Sequence, residues 1–155
     1  MPTNNLPLAL ADTVAPVPKA EQAPALAAIY DRSVDSVKGF AKMVEKAQPS
    51  FRATAARFRA LHASHVSRLA GLLADQGVAP DADGSILGTV NQAVVSFRAF
   101  FDEIDEDVMD QVRSGEAWIL KAFDKAIAEQ PKAAAPLQAM RAELTNLLAE
   151  TQDLG

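Results

Sequence analysis

"PSFRATAARFRALHASHVSRLAGLLADQ", residues 49–76, is the stretch on which the fold turns. Phe51, Ala55, Phe58, His62, His65, Leu69, Leu72 and Gln76 follow one another at alternating steps of four and three, so they share one seam of a helix built to pack against neighbours. A second stripe through Leu61, His65, Leu69 and Leu72 covers much of the same face. His65 points inward on both readings, and His62 lies at the margin of one. Pro49 suits the first turn of this helix and restricts Gln48 to extended geometry before it. Gly77 ends the helix, and a loop with Pro80, Asp81, Asp83 and Gly84 follows.

The same period extends to both sides. Upstream, Leu26, Tyr30, Val34, Val37, Ala41 and Val44 predict a first helix from Pro24 to about Gln48. Downstream, Ser85 caps a third helix carrying Leu87, Val90, Val94, Phe97 and Phe101. A break between residues 101 and 106 leads to a fourth helix, with Asp102 or Asp105 as its cap and Val112, Glu116, Ile119, Phe123 and Ala126 on one face. Pro131 stops it near Gln130. A fifth amphipathic segment holds Leu137, Met140, Leu144, Leu147 and Leu148. Residues 1–23, with Pro2, Pro7, Pro16 and Pro18 and no sustained period, read as a flexible tail, which leaves 24–150 as the bundle.

Composition narrows the partners. The chain has 155 residues, enough for one domain with a core. Its formal net charge of −5 leaves no excess of cations to neutralise phosphates, so nucleic acid is not expected as a partner. The absence of cysteine removes thiolate metal sites and disulfides and points to the cytoplasm. No stretch approaches the roughly 18 to 20 apolar residues of a membrane span, and the N-terminus lacks the basic start of a signal peptide.

Both histidines of the chain, His62 and His65, stand three positions apart on the second helix. Carboxylate-bridged di-metal bundles take a Glu from each of two helices and a Glu-x-x-His pair from each of the other two. Here Arg59 stands where the glutamate before His62 would be, and Ile119 follows Glu116 where a histidine would be. The remaining candidates for a metal are His62, His65, Glu116 and Asp35, with Asp31 as an alternative to Asp35, a set suited to iron, zinc or manganese. Against that stands a core in which His65 bonds Glu116 or Asn91, and no cofactor is the leading expectation. The acidic run at 102–110 lacks the spacing of a calcium loop and reads as a solvated helix start. No strand-elbow-helix context supports a serine nucleophile. Trp118, Tyr30 and the phenylalanines read as packing residues.

Three segments in order, "YDRSVDSVKGF" (30–40), "DGSILGTVNQAV" (83–94) and "VRSGEAWILKAFDKAI" (112–127), resemble an uncharacterised bacterial family of ferritin-like helical bundles, catalogued as a domain of unknown function. The resemblance spans about 26–130. It implies an all-α, ferritin-like antiparallel four-helix bundle with an additional C-terminal helix, and no established activity.

The expected role is therefore non-enzymatic: interaction or self-assembly through an exposed apolar helix face, in a stress setting, as a homo-oligomer or with a protein partner. The alternative is a metal-binding protein or metal-dependent oxidoreductase with a degenerate ferritin-like site. A third reading is a helical protein coating a granule or surface.

Overall fold

Pro24 and Pro49 each stand in the first turn of a helix, where the missing amide hydrogen costs no hydrogen bond. The computed structural model describes residues 23–79 and 105–154. Within them the chain forms four α-helices and no strand: α1 (Pro24–Lys46), α2 (Pro49–Ala74), α3 (Met109–Glu129) and α4 (Ala134–Glu150). Short 3-10 turns, Glu106–Val108 and Pro131–Ala133, lead into α3 and α4. The helix expected over 85–101, with Asn91, and the tail assigned to 1–22 lie outside the described residues. Ala23, read as the end of that tail, is buried in the core.

The α1–α2 corner follows from Pro49. Gln48 takes the extended conformation (φ −57°, ψ 149°) that a following proline imposes. Arg52 Nη2 then donates to the Ala47 carbonyl at 3.1 Å and closes the corner. At the other end of α2, Gly77 adopts a left-handed φ of 72°, the conformation glycine enters without steric penalty. Gly77 N donates to Ala74 O at 2.9 Å and Val78 N to Leu73 O at 2.9 Å. These are the paired bonds of a glycine-terminated helix, and Val78 is buried beside the turn. Asp105 caps the turn ahead of α3: its Oδ1 accepts from Asp107 N at 2.9 Å, while Asp102, the other candidate, lies outside the described residues.

Burial corrects two of the expected stripes. In α2 the buried positions are Phe51, Ala55, Phe58, His62, His65, Leu69 and Leu73, so the seam ends on a step of four and Leu72 sits at its edge. In α1 the buried face runs through Leu26, Ile29, Tyr30, Ser33, Ser36, Phe40 and Met43, while Val34, Val37, Ala41 and Val44 are only half-buried. Two serines and an aspartate, Asp31, therefore lie where the valines were expected. Ser33 is accommodated because its hydroxyl donates back to Ile29 O at 2.8 Å. The stripes of α3 and α4 fall where the periodicity puts them, with Met109 added at the start of α3.

The helices pack as a ring in which α1 meets α2 and α3, and α4 meets α3 and, more lightly, α2. Contacts fall in opposite order along each adjoining pair, so neighbours run antiparallel. Phe123, Leu137, Met140 and Leu144 bring α3 and α4 into the same apolar core as Phe40, Phe51 and Phe58. Two polar ties fix helix ends. Glu129 Oε2 accepts from Ala25 N at 2.8 Å and Leu26 N at 3.0 Å, so the end of α3 caps the start of α1. Arg113 Nη2 donates to the carbonyls of Thr151, Gln152 and Leu154 at 3.0, 2.9 and 2.7 Å, meeting acceptors that the end of α4 leaves without helical partners.

Glu129→Ala leaves two amides at the start of α1 without their acceptor. The loss expected for a removed helix cap is about 0.5–2 kcal/mol, read from urea unfolding of the two proteins side by side.

Candidate functional site: a buried histidine–glutamate cluster

A histidine on the inward face of α2 has to find a hydrogen-bond partner from another helix, because the neighbouring turns of its own helix supply mostly apolar side chains. Both do so. His62 Nε2 lies 3.0 Å from Glu116 Oε1 of α3, and His65 Nε2 lies 2.9 Å from Glu143 Oε2 of α4. Both imidazoles are 0% exposed and Glu116 is 3% exposed. From the sequence, His65 is expected to bond Glu116 or Asn91, with His62 at the margin. The structure pairs His62 with Glu116 and buries both rings, since three residues along a helix turn the second imidazole about 60° away, toward α4.

Aromatic rings hold the imidazoles in place. Phe40 of α1 stacks on His62 with centroids 5.6 Å apart and on Phe58 at 5.1 Å. His65 meets His62 edge-on at 6.1 Å and Phe123 of α3 edge-on at 5.7 Å. His62 is thus wedged between Phe40 and His65, and its orientation is set by packing as well as by Glu116.

Glu143 was not among the residues singled out from the sequence. Its position supplies the signal that was available: Met140, Leu144 and Leu147 define the inward face of α4, and Glu143 follows Met140 by three. Arg68 Nη1 spans both oxygens of Glu143, at 3.1 and 2.8 Å, from the turn after His65. Burial pushes the Glu143 carboxyl upward, but hydrogen bonds from Arg68 and His65, with their charges, outweigh it and hold the group below the usual glutamate range. An ionised carboxylate only accepts, so Nε2 of neutral His65 carries the donated hydrogen. Burial also holds the His65 pKa down; the charges of His62 and Arg68 act the same way, against the opposing hydrogen bond and charge of Glu143.

The candidate metal set does not converge as one shell among the described residues. His62 and Glu116 meet, and His65 adjoins them through its ring. Asp35 stands half-buried on α1 and makes no hydrogen bond or ion pair with any of the three; burial is the main reason its carboxyl is held up, with Asp31 adding to the shift and Lys38 and Arg32 opposing it. Among the described residues no three histidine, aspartate or glutamate side chains are placed to hold one ion. The cluster is instead two pairs, and each leaves polar atoms over. His62 Nδ1, His65 Nδ1 and Glu116 Oε2 are buried without a hydrogen-bond partner among the described residues.

Two expected outcomes follow from this geometry. Glu116→Ala strips His62 of its partner in the core and costs about 1–3 kcal/mol, whereas His62→Leu combined with Glu116→Leu loses less, because the pair is removed together. Urea unfolding of the three proteins gives the comparison. For pH, the unfolded chain takes up a proton at His65 below its ordinary value of about 6.5 while the folded ring resists it, so stability falls as pH drops from there toward the folded value. Glu143 adds a second loss as pH falls from about 4.5 toward its own lowered value. His65→Gln, which keeps an N–H for Glu143, flattens the upper window and leaves the lower one.

No curated protein and no solved structure matches the chain. A family model does, over residues 21–129, a span that takes in α1, α2 and α3 with His62, His65 and Glu116 and stops short of α4 and Glu143. The chain belongs to the family described as Domain of unknown function (DUF2383).

Proposed function

We propose that this chain is a non-enzymatic, ferritin-like helical bundle that works by association, with a second copy or with a protein partner. The observation that carries the reading is Trp118, 62% exposed on α3 and the one large hydrophobic side chain exposed among the described residues. It was expected in the core. Trp118 follows Glu116 by two positions, and on a helix that turns it about 200° away, to the outer face. An indole left in water on a rigid helix forgoes the burial that stabilises aromatic side chains, and tryptophan is over-represented among the residues that dominate protein interfaces. The polar core argues the same way. A catalytic group must reach its substrate, and the two imidazoles and Glu116 face one another in the interior.

The ferritin-like part of the reading is supported by antiparallel neighbours and by a polar cluster in the core between facing helices, where such bundles build their sites. A cytoplasmic location is in keeping with the lack of cysteine, and no described helix is long and apolar enough to cross a membrane.

One observation favours the second reading, a bound metal ion. His62 Nε2 and Glu116 Oε1 stand 3.0 Å apart, close to the separation of two neighbouring ligands that each lie about 2.0–2.2 Å from one ion. Glu116 Oε2, without a hydrogen-bond partner among the described residues, adds a second ligand atom on the same carboxylate.

Sedimentation equilibrium and elemental analysis of the untagged protein separate the two. The expected result is a mass above that of one chain, rising with concentration, and metal well below one ion per chain after incubation with ferrous iron, zinc or manganese. Near-stoichiometric metal that is lost in His62→Ala/His65→Ala overturns the proposal in favour of the second reading.

A further inference from the structure

We propose that the outer face of α3 is a self-complementary interface, on which a second copy of the chain lies antiparallel with Trp118 of each copy seated over Gly115 of the other. The inference rests on the association reading above and assigns it a face, an occupant and a register.

Three features of α3 support it. With about 3.6 residues per turn, Gln111, Ser114, Gly115, Trp118, Lys121 and Lys125 fall on one stripe, and all six are exposed. This is the face opposite Val112, Glu116, Ile119 and Phe123, which enter the core. The exposed indole therefore has a small-residue floor beside it along the same face, one turn toward the helix start.

Gly115 itself has no packing reason among the described residues. A glycine inside a helix costs roughly 1 kcal/mol relative to alanine, and such a cost is usually repaid by a close approach of some neighbour. A Cβ built on Gly115 meets nothing within 4 Å. Gly71 of α2 is equally open, but it lies in the last turn of its helix with no exposed aromatic beside it. At Gly115 no described atom stands within 4 Å of where a Cβ would be, which leaves room for an aromatic ring from a second copy.

Charge then selects the occupant. On this face the turn leading into α3 is acidic, with Asp107, and the second half of α3 is basic, with Lys121 and Lys125, while Asp110 and Asp124 are already paired with Arg113 and Arg141. A parallel second copy sets like charges against like. An antiparallel copy, centred between Glu116 and Ala117 so that Trp118 meets Gly115, brings Lys125 to the level of Val108, beside Asp107, and Lys121 to the level of Val112, beside Gln111, twice over by symmetry. Lys121 already leans on the indole, with Nζ 4.8 Å from the ring centroid, which leaves its charge at the edge of the patch. One helix per copy makes an interface at the small end of the usual range, so the dimer is expected to dissociate on dilution and to weaken with salt.

The test is sedimentation equilibrium of the full chain across a concentration series, with circular dichroism to verify folding. The parent is expected to pass from monomer to dimer. Trp118→Ala weakens the dimer at least about tenfold. Gly115→Leu abolishes it while keeping or raising the thermal midpoint, because leucine favours helix over glycine, so loss of the dimer cannot be ascribed to unfolding. Asp107→Lys and Lys125→Glu each impair self-association, and an equimolar mixture of the two restores a dimer that contains one of each. A parent that dimerises equally well with Trp118→Ala and Gly115→Leu overturns this face and register while leaving association intact. A parent that stays monomeric up to about millimolar concentration, the weak end of measurable affinity, overturns self-association altogether.

Discussion

Two imidazoles cannot be taken out of water into an apolar seam without partners, and the arrangement of the bundle is organised around that constraint. His62 draws Glu116 of α3 and His65 draws Glu143 of α4, so two consecutive inward positions of one helix fix two other helices. Leucines at the same sites would bury as much apolar surface and would tolerate several registers. A hydrogen-bonded pair tolerates one, because a slip of a single residue along α3 or α4 carries the carboxylate about 100° around its helix. The remaining helix, α1, joins the group through packing: Phe40 stacks on the face of His62. All four helices therefore meet in one small group of side chains.

The arginines act at the edge of that group. Arg68 neutralises Glu143 where it emerges toward solvent, Arg141 pairs with Asp124 between α4 and α3, and Arg57 meets Glu150 at the far end of α4. Exposed ion pairs of this kind add little stability one by one. Together they line both seams of the last helix, which packs only lightly on α2. Arg113 differs from them because, besides its pair with Asp110, its guanidinium binds backbone carbonyls just past the end of α4.

How much of this was legible in the sequence depends on whether one helix or several set the answer. The limits of α1 and α2 were readable because Pro24, Pro49 and Gly77 act locally on the backbone. The inward faces of α3 and α4 were readable because their apolar residues are sparse enough for the period to be unambiguous. The face of α1 was not: valines at 34, 37 and 44 offer an apolar stripe as regular as the true one, and only the neighbours decide that Ser33, Ser36 and Phe40 turn inward. The partner of each histidine was not legible either. Glu116 is odd in its stripe and could be found, but which imidazole it meets depends on how α3 is placed along α2. Glu143 has an ordinary surface look in "MRAELTN" and acquires its role only from the placement of α4.

The two faces of α3 are coupled by this arrangement. Glu116 and Trp118 are two residues apart on a rigid helix, so the bond that fixes Glu116 against His62 also fixes the direction in which the indole leaves the bundle. Ile119 and Phe123 are buried on the inner side, and Phe123 touches His65, so the same stretch is held at two levels. A polar pair in a core is a costly way to gain stability, since a well-packed apolar pair of the same volume does as well or better. It is an effective way to gain orientation. The His62–Glu116 pair makes best sense as the device that turns α3 to a single angle, which is what a surface with one tryptophan, one open glycine and a defined order of charges requires of the helix beneath it.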